Sequence, residues 1–411
     1  MTLQLDTDRF VATMEEQAAI GATPDDGLHR LALTDADKEI RDWFVDQLTD
    51  LNLTVRIDEF GNIFGRRQGT NPDANPVLIG SHLDSQPNGG IYDGQLGVVT
   101  ALEFLRTLED EGIETRRPIE IVNWTNEEGS RFQPAMQGSG VWAGAHALEA
   151  EYQKTDRAGT AVREELERIG YLGESPAEPT EPYDSYLELH IEQGPRLERA
   201  GANVGIVTGI VGFTWGEVTF TGEADHSGPT PMDHRRDALV AAADFITAVR
   251  RLPGTLGEAT VGTVGAVDVS PNSINVIPNE VTVTWDVRDG DDAVVEQAAQ
   301  RARQEAAAAA TREGVEYEVS DRMRAPSISF ADRTVSAVTA AADEMADCRA
   351  IELESGAGHD ATHLTSVCDT GMVFAVSEDG KSHSPAEYTS WDDCCQAATV
   401  FANAALQLAT E

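Results

Sequence analysis

Residues 75–129 read NPVLIGSHLDSQPNGGIYDGQLGVVTALEFLRTLEDEGIETRRPIEIVNWTNEEG. A short apolar run, VLIG, gives way to a glycine-rich turn. GQLGVVTALEFLRTLEDEG follows with helical spacing, and then a second apolar run, IEIV. Short apolar runs bounded by turn signals suit strands buried on both faces. Strand–helix–strand order joins such strands in parallel and covers them with helices. The expected fold class is α/β, a mostly parallel sheet under helices.

Upstream, DRFVATMEEQAAIG reads as a helix ending at Gly21. TDADKEIRDWFVDQLTDL reads as a second helix, with Thr34 as its cap and Asp37 completing a capping box. LTVRIDEFGNIFGRR alternates like a hairpin. Downstream, a polar, proline-bearing stretch (158–183) precedes another buried strand in YLELHIEQGP. From about Gly212 the pattern changes. FTWGEVTFTGE, TVGTVGAVDVSP, NVIPNEVTVTWDVRD and VEYEVSDRMR alternate like strands with one wet face, and RRDALVAAADFITAVRRL and AVVEQAAQRARQEAAAAATREG read as helices. This β-α-β-β-α-β segment, 212–325, is expected to be an α+β domain inserted into a first domain made of 1–211 and 326–411.

The charge balance is extreme. Seventy-one acidic side chains face 30 basic ones for a net charge of −41, and only Lys38, Lys154 and Lys381 are lysines. Such a surface repels nucleic acid and anionic membranes, so neither is an expected partner. A hydrophobic content of 41% and clear periodicity argue against a disordered acidic chain. Acid enrichment with few lysines suits molar salt, where the Debye length is about 3 Å and self-repulsion is screened, so an extreme halophile is the expected source. No run approaches the roughly 18 apolar residues of a membrane span. MTLQLDTDRFVATMEEQ lacks the basic start and apolar core of a signal peptide, and a cytoplasmic location is expected. Cys348, Cys368, Cys394 and Cys395 show no CxxC spacing and read as reduced thiols without function.

Ligands of open α/β sheets bind beyond the carboxyl ends of the strands. There VLIGSHLDS carries His82 and Asp84, IVNWTNEEG carries Glu127 and Glu128, and YLELHIEQG carries His190, Glu192 and Gln193. GMVFAVSEDGKSHSPAE leads to His383 and Glu387, and NGGIYDGQLG sets Asp93 among four glycines. A single strand-end histidine is more often a packing residue, and two adjacent acids before Gly129 are more often a solvated turn. The argument for chemistry is the coincidence of all five segments. Histidine and carboxylate ligands without cysteine fit zinc or a similar divalent ion. Three histidines, Asp93 and a glutamate exceed one tetrahedral ion and suit two ions about 3.5–4 Å apart sharing a carboxylate. One glutamate of the pair would then ligate and its neighbour act as general base. Asp84 would orient the His82 ring.

GSHLDSQPNGGIYDGQLGV, TNEEGSRF, LHIEQGP, GEADHSGPTPM and SHSPAE together resemble the hydantoinase/carbamoylase family of zinc amidohydrolases, relatives of the aminoacylase-like metallopeptidases. The family includes N-carbamoyl-L-amino-acid hydrolases, allantoate amidohydrolases and ureidopropionases. The resemblance implies a catalytic domain with an inserted dimerisation domain, hence a homodimer. It puts His82 and His190 on one metal, Glu128 and His383 on the other, Asp93 between them and Glu127 as base. It implies that His226 polarises the scissile carbonyl from across the dimer and that Gln193 binds the carbamoyl group. Asn275 and Arg288 would hold the substrate carboxylate, and Gly358 of SGAGHDA would lie in a substrate-contacting loop. Two zinc ions are implied, with manganese or cobalt as substitutes. The expected reaction is hydrolysis of a ureido or amide C–N bond on a small carboxylate-bearing molecule, foremost an N-carbamoyl-L-amino acid. Allantoate hydrolysis, an aminoacylase or peptidase activity, and a non-catalytic metal-bound binding protein are the alternatives. The chain departs from the family pattern at GFTW (212–215), where members often read GQ, and at HSGPTPM, where they often read HAGTTPM.

Overall fold

The computed structural model describes residues 2–257 and 259–411. They form two compact units, Met1–Thr208 with Phe330–Glu411, and Gly209–Ser329. The chain begins with α1 (Thr7–Ala18) and α2 (Asp35–Asp50), then the antiparallel hairpin β1 (Thr54–Ile57) and β2 (Ile63–Arg67). Next come β3 (Val77–His82), α3 (Gln95–Asp110) and β4 (Ile119–Trp124), followed by the short helices α4 (Gln137–Trp142), α5 (Leu148–Tyr152) and α6 (Val162–Ile169). β5 (Ser185–Ile191), α7 (Arg196–Ala200) and β6 (Val204–Ile210) complete the first passage.

The second unit contains β7 (Gly212–Thr221), β8 (Asp225–His226), α8 (Ala238–Arg251), β9 (Val261–Thr263), β10 (Val267–Ser270) and β11 (Val276–Ile277). β12 (Glu280–Asp289), α9 (Asp292–Glu313), β13 (Glu316–Ala325) and β14 (Ile328–Ser329) follow. The chain then returns through α10 (Asp332–Asp343), β15 (Ala350–Ser355), α11 (Ala361–Leu364), β16 (Asp369–Ala375) and α12 (Trp391–Thr410).

In the main sheet, β4, β3, β5 and β16 are neighbours and pair in parallel. β2 joins β4 and β6 joins β16 antiparallel, so the parallel character belongs to the centre and the flanks reverse it. β3, β4 and β5 are buried at every residue, as continuous apolar runs covered on both faces should be. α3 and α12 pack over them with Leu96, Val99, Leu102, Val400, Phe401 and Ala404 in the core. Parallel strands deliver their carboxyl ends to one edge of the sheet, and the fold thereby gathers the loops after β3, β4, β5 and β16.

Two local expectations needed correction. Asp37 does not close a capping box on Thr34. Its carboxylate accepts from Leu33 N–H at 2.8 Å and holds Arg41 at 2.6 Å, while Thr34 Oγ caps Asp37 N–H. Within the polar stretch 158–183, Val162, Leu166 and Ile169 place one buried stripe on α6. TVGTVGAVDVSP is two strands, β9 and β10, each pairing with β12.

The second unit is a five-stranded antiparallel sheet, ordered β10-β12-β7-β13 with β9 also on β12. Its covered face carries Val218, Phe220, Val281, Val283 and Trp285. Small side chains on α8 (Ala241, Ala242) and α9 (Ala298, Ala302, Ala306, Ala309) let the two helices lie close on that face. The alanine run 306–310 therefore does packing as well as helix formation. The other face is open and carries Phe213, Trp215, Asp286 and Arg288 in register. Among the described residues no helix is long and apolar enough to cross a membrane.

Candidate metal centre

His82 closes β3, and its ring is fixed from behind. Nδ1 lies 3.1 Å from the Asp84 carbonyl oxygen, and the His190 Nδ1 lies 3.0 Å from that of Ile191. A carbonyl can only accept, so Nδ1 carries the hydrogen in both rings and each Nε2 lone pair faces the site. Both rings are buried.

Asp93 sits in the turn before α3. Its backbone N–H and that of Tyr92 both donate to Glu387 Oε1 at 3.1 Å, which ties the turn to the loop after β16. Gly94, at φ +80°, is required there, because a Cβ would lie 2.3 Å from the His82 ring. The Asp93 oxygens are divided. Oδ1 is 3.5 Å from His82 Nε2 and 3.1 Å from His190 Nε2, whereas Oδ2 is 3.4 Å from His383 Nε2. His383 Nε2 is also 3.5 Å from Glu128 Oε2. Two groups of side chains thus share one aspartate: His82, Asp93 and His190, all buried, and Asp93, Glu128 and His383, the last exposed.

The loop after β4 explains the adjacent acids. Asn126 takes φ +54° and its amide donates to the Phe132 carbonyl at 2.9 Å and to Gln137 Oε1 at 2.8 Å. The chain reverses there and again at Gly129, φ +63°. Glu127 and Glu128 consequently point to different partners. Glu127 Oε2 is 3.5 Å from His82 Nε2, beside the first group, and Glu128 faces the second. Asp84 has a different part from the one expected of it. Its Oδ1 accepts from Glu127 N–H and its Oδ2 from Glu128 N–H, both at 3.2 Å, while its side chain stands 3.6 Å from the His82 ring. The backbone carbonyl orients the ring, and the carboxylate orients the glutamate loop.

The electrostatics fit cations at both positions. Burial pushes the Glu127 carboxyl well above its ordinary range, and the charges of Asp360, Glu128 and Asp93 push the same way against the pull of His82. Glu128 is raised to about 8 by burial and the Asp93 charge. Hydrogen bonding to Asp93 raises His383 to about 9. Burial opposes a proton on His82, but the Glu127 and Asp93 carboxylates outweigh it and hold that histidine well up. Acids that resist ionisation beside histidines that resist neutralisation are what a positive ion would reverse. His82 Nε2 is moreover buried with no hydrogen-bond partner, an expensive omission that a metal–nitrogen bond would remove. Five oxygen and nitrogen donors without a thiolate suit zinc, manganese or cobalt.

The other expected site residues lie as follows. Gln193, at φ +57°, directs Nε2 to Asp93 Oδ2 at 2.6 Å, so it borders the centre. Gly358 is exposed next to Met136. Its neighbour His359 is the more telling residue. That ring is buried 4.4 Å from the His190 ring, and burial together with the His190 charge holds it well below the ordinary imidazole range. His226 ends β8 opposite Val276 of β11, and Asn275 immediately precedes β11, its carbonyl accepting from Ser227 N–H. His226 Nδ1 accepts from Gly228 N–H at 3.0 Å, which leaves Nε2–H as the exposed donor. Arg288 lies on β12 opposite Phe213 of β7, held by Asp286 at 3.0 Å.

A match to Peptidase family M20/M25/M40 covers residues 78–407. An N-carbamoyl-L-amino-acid amidohydrolase of Rhizobium meliloti is 40% identical over 406 residues, covering 99% of this chain and 97% of that one. One from Geobacillus stearothermophilus is 38% identical, covering 98% of each. Among solved structures, an amidase of the hydantoinase/carbamoylase family from Burkholderia multivorans is 44% identical with a TM-score of 0.95, covering 100% of this chain and 99% of that one.

Proposed function

The chain belongs to peptidase family M20/M25/M40, a family of metal-dependent enzymes, and from that premise we propose that it hydrolyses the ureido bond of N-carbamoyl-L-amino acids with two divalent cations. Zinc is the preferred ion and manganese or cobalt its substitutes. The observation that carries this reading is the division of Asp93, one oxygen toward His82 and His190 and the other toward His383. His82 and His190 are assigned to one ion, Glu128 and His383 to the other, and Asp93 to both. The ions would polarise the attacking water, moving its pKa toward about 7, and neutralise the surrounding acids.

Glu127 acts as general base. It takes a proton from water as the oxygen attacks the carbamoyl carbon, and returns it to the nitrogen that leaves when the C–N bond breaks. The carbamic acid fragment falls apart, so the products are the amino acid, carbon dioxide and ammonia. His226, neutral with Nε2–H outward, is assigned to the developing oxyanion. Arg288 binds the substrate carboxylate through its planar fork, Asn275 supports the carboxylate, and Gln193 binds the carbamoyl group. Gly358 borders the substrate loop. His226 is assigned to the active site of the other copy in a homodimer formed through the second unit, where its ring stands exposed. The acid-rich surface supports assay in molar salt, where a negatively charged protein no longer repels its anionic substrate.

The test is a substrate panel in molar KCl with added Zn²⁺, Mn²⁺ or Co²⁺, reading released ammonia or free amine. N-carbamoyl-L-amino acids are expected to outpace allantoate and N-acyl amino acids. Allantoate alone would move the assignment to allantoate hydrolysis. Metal binding without turnover of any substrate would leave a binding protein.

A further inference from the structure

The two ligand groups are held by different means. In the first, His82 ends a buried strand and each histidine is fixed by a main-chain carbonyl. In the second, His383 sits in a loop at φ +56° with half its side chain exposed, and Glu128 sits in the loop beyond Asn126. Something else must fix the Glu128 carboxylate, which is almost wholly buried.

Gln86 does so from both sides. Its backbone N–H donates to Glu128 Oε1 at 3.0 Å, and its side-chain amide donates to Glu128 Oε2 at 2.7 Å and to the Glu128 carbonyl at 3.2 Å. The Ser130 hydroxyl donates to Gln86 Oε1. Carboxylate and carbonyl oxygens accept only, so these partners independently fix which end of the amide faces Glu128. Both carboxylate oxygens are then restrained, and Oε2 keeps a second lone pair toward His383.

The geometry points to Gln86 as the positioning residue for the second ion, acting through Glu128 and locked by Ser130. This rests on the two-ion reading above. Its distinctive consequence is selectivity, since among the described residues Gln86 hydrogen-bonds to Glu128 and to neither His82 nor His190. Supporting residues of this kind typically weaken metal affinity about 10–100-fold when removed.

The experiment uses the full chain, stripped with chelator and titrated with Zn²⁺ alone, with bound equivalents and both dissociation constants read by calorimetry and elemental analysis. Wild type is expected to take two equivalents. Gln86→Ala and the bulkier Gln86→Leu should keep the first constant unchanged and weaken the second by about 10–100-fold. Ser130→Ala, which frees the amide to rotate, should fall between them and wild type. Excess Zn²⁺ should restore ammonia release to the Gln86 variants. A wild-type second constant in both Gln86 variants, or equal weakening of both constants, would overturn the assignment. A wild type that binds one equivalent would overturn the two-ion reading and this assignment with it.

Discussion

The first unit gathers His82, Glu128, His190 and His383 around Asp93, all but His383 with buried side chains, whereas the second leaves His226 and Asn275 exposed and Arg288 half-buried on its open sheet face. The difference lies in what each region must do. A site for cations needs its donors preassembled, because desolvated acids and imidazoles are tolerated only where they neutralise one another or an ion. A surface that meets a small polar substrate, or a second copy of the chain, can stand in water before its partner arrives.

The contrast yields graded expectations. The largest concerns Glu127, which is placed on the reaction rather than on metal retention. Glu127→Gln should lower kcat by about 10²–10⁴ with metal content unchanged in elemental analysis. Joint loss of metal and turnover would make it a ligand instead. Next is His226→Ala, expected to cost about 10²–10³ in kcat, again with full metal content. The sharper form mixes Glu127→Gln with His226→Ala after reversible dissociation. If His226 serves the other copy, hybrid dimers each regain one working site, and activity should rise to about a quarter of wild type. Activity that stays at the level of the separate variants would put His226 in its own chain's site.

A smaller effect is expected at Arg288. Loss of a charged hydrogen-bonding partner costs about 1.5–3 kcal/mol, so Arg288→Ala should raise KM about 10–100-fold with kcat nearly kept. Arg288→Lys should recover only part of this, for want of the planar fork. An unchanged KM would remove Arg288 from the substrate. The smallest effect concerns stability on the open sheet face. Trp215 is 40% exposed, and Trp215→Ala should shift the unfolding free energy by no more than about 0.5 kcal/mol. Phe220→Ala, on the covered face of the same strand, should cost about 3–5 kcal/mol. Chemical denaturation of both variants checks the pair, and equal losses would mean that the open face is packed after all.

The same contrast governs what could be read from sequence. β3, β4, β5 and β16 carry apolar runs followed closely by His or acidic residues, and that break in pattern marks the centre in the sequence. α4 and α6 were missed because they are short and their periodicity is one or two turns long. His359 was missed because it follows β15 in a glycine-rich loop, where no change of pattern marks it. Gln86 gives no sign at all, since a neutral amide in SHLDSQP shows its use only through its partners. Asp84 was read as orienting His82, because sequence cannot tell a carboxylate from the carbonyl of the same residue. Arg288 and Asn275 enter as carboxylate-binding residues by resemblance alone, since an arginine on an open sheet face and an asparagine in a turn carry no mark in the pattern.

The most direct test of the central claim is anomalous diffraction from crystals of the full chain grown with Zn²⁺. The account predicts two peaks about 3.5–4 Å apart, bridged by the two oxygens of Asp93, with His82 and His190 on one and Glu128 and His383 on the other. A single peak, or two that do not share Asp93, would contradict it.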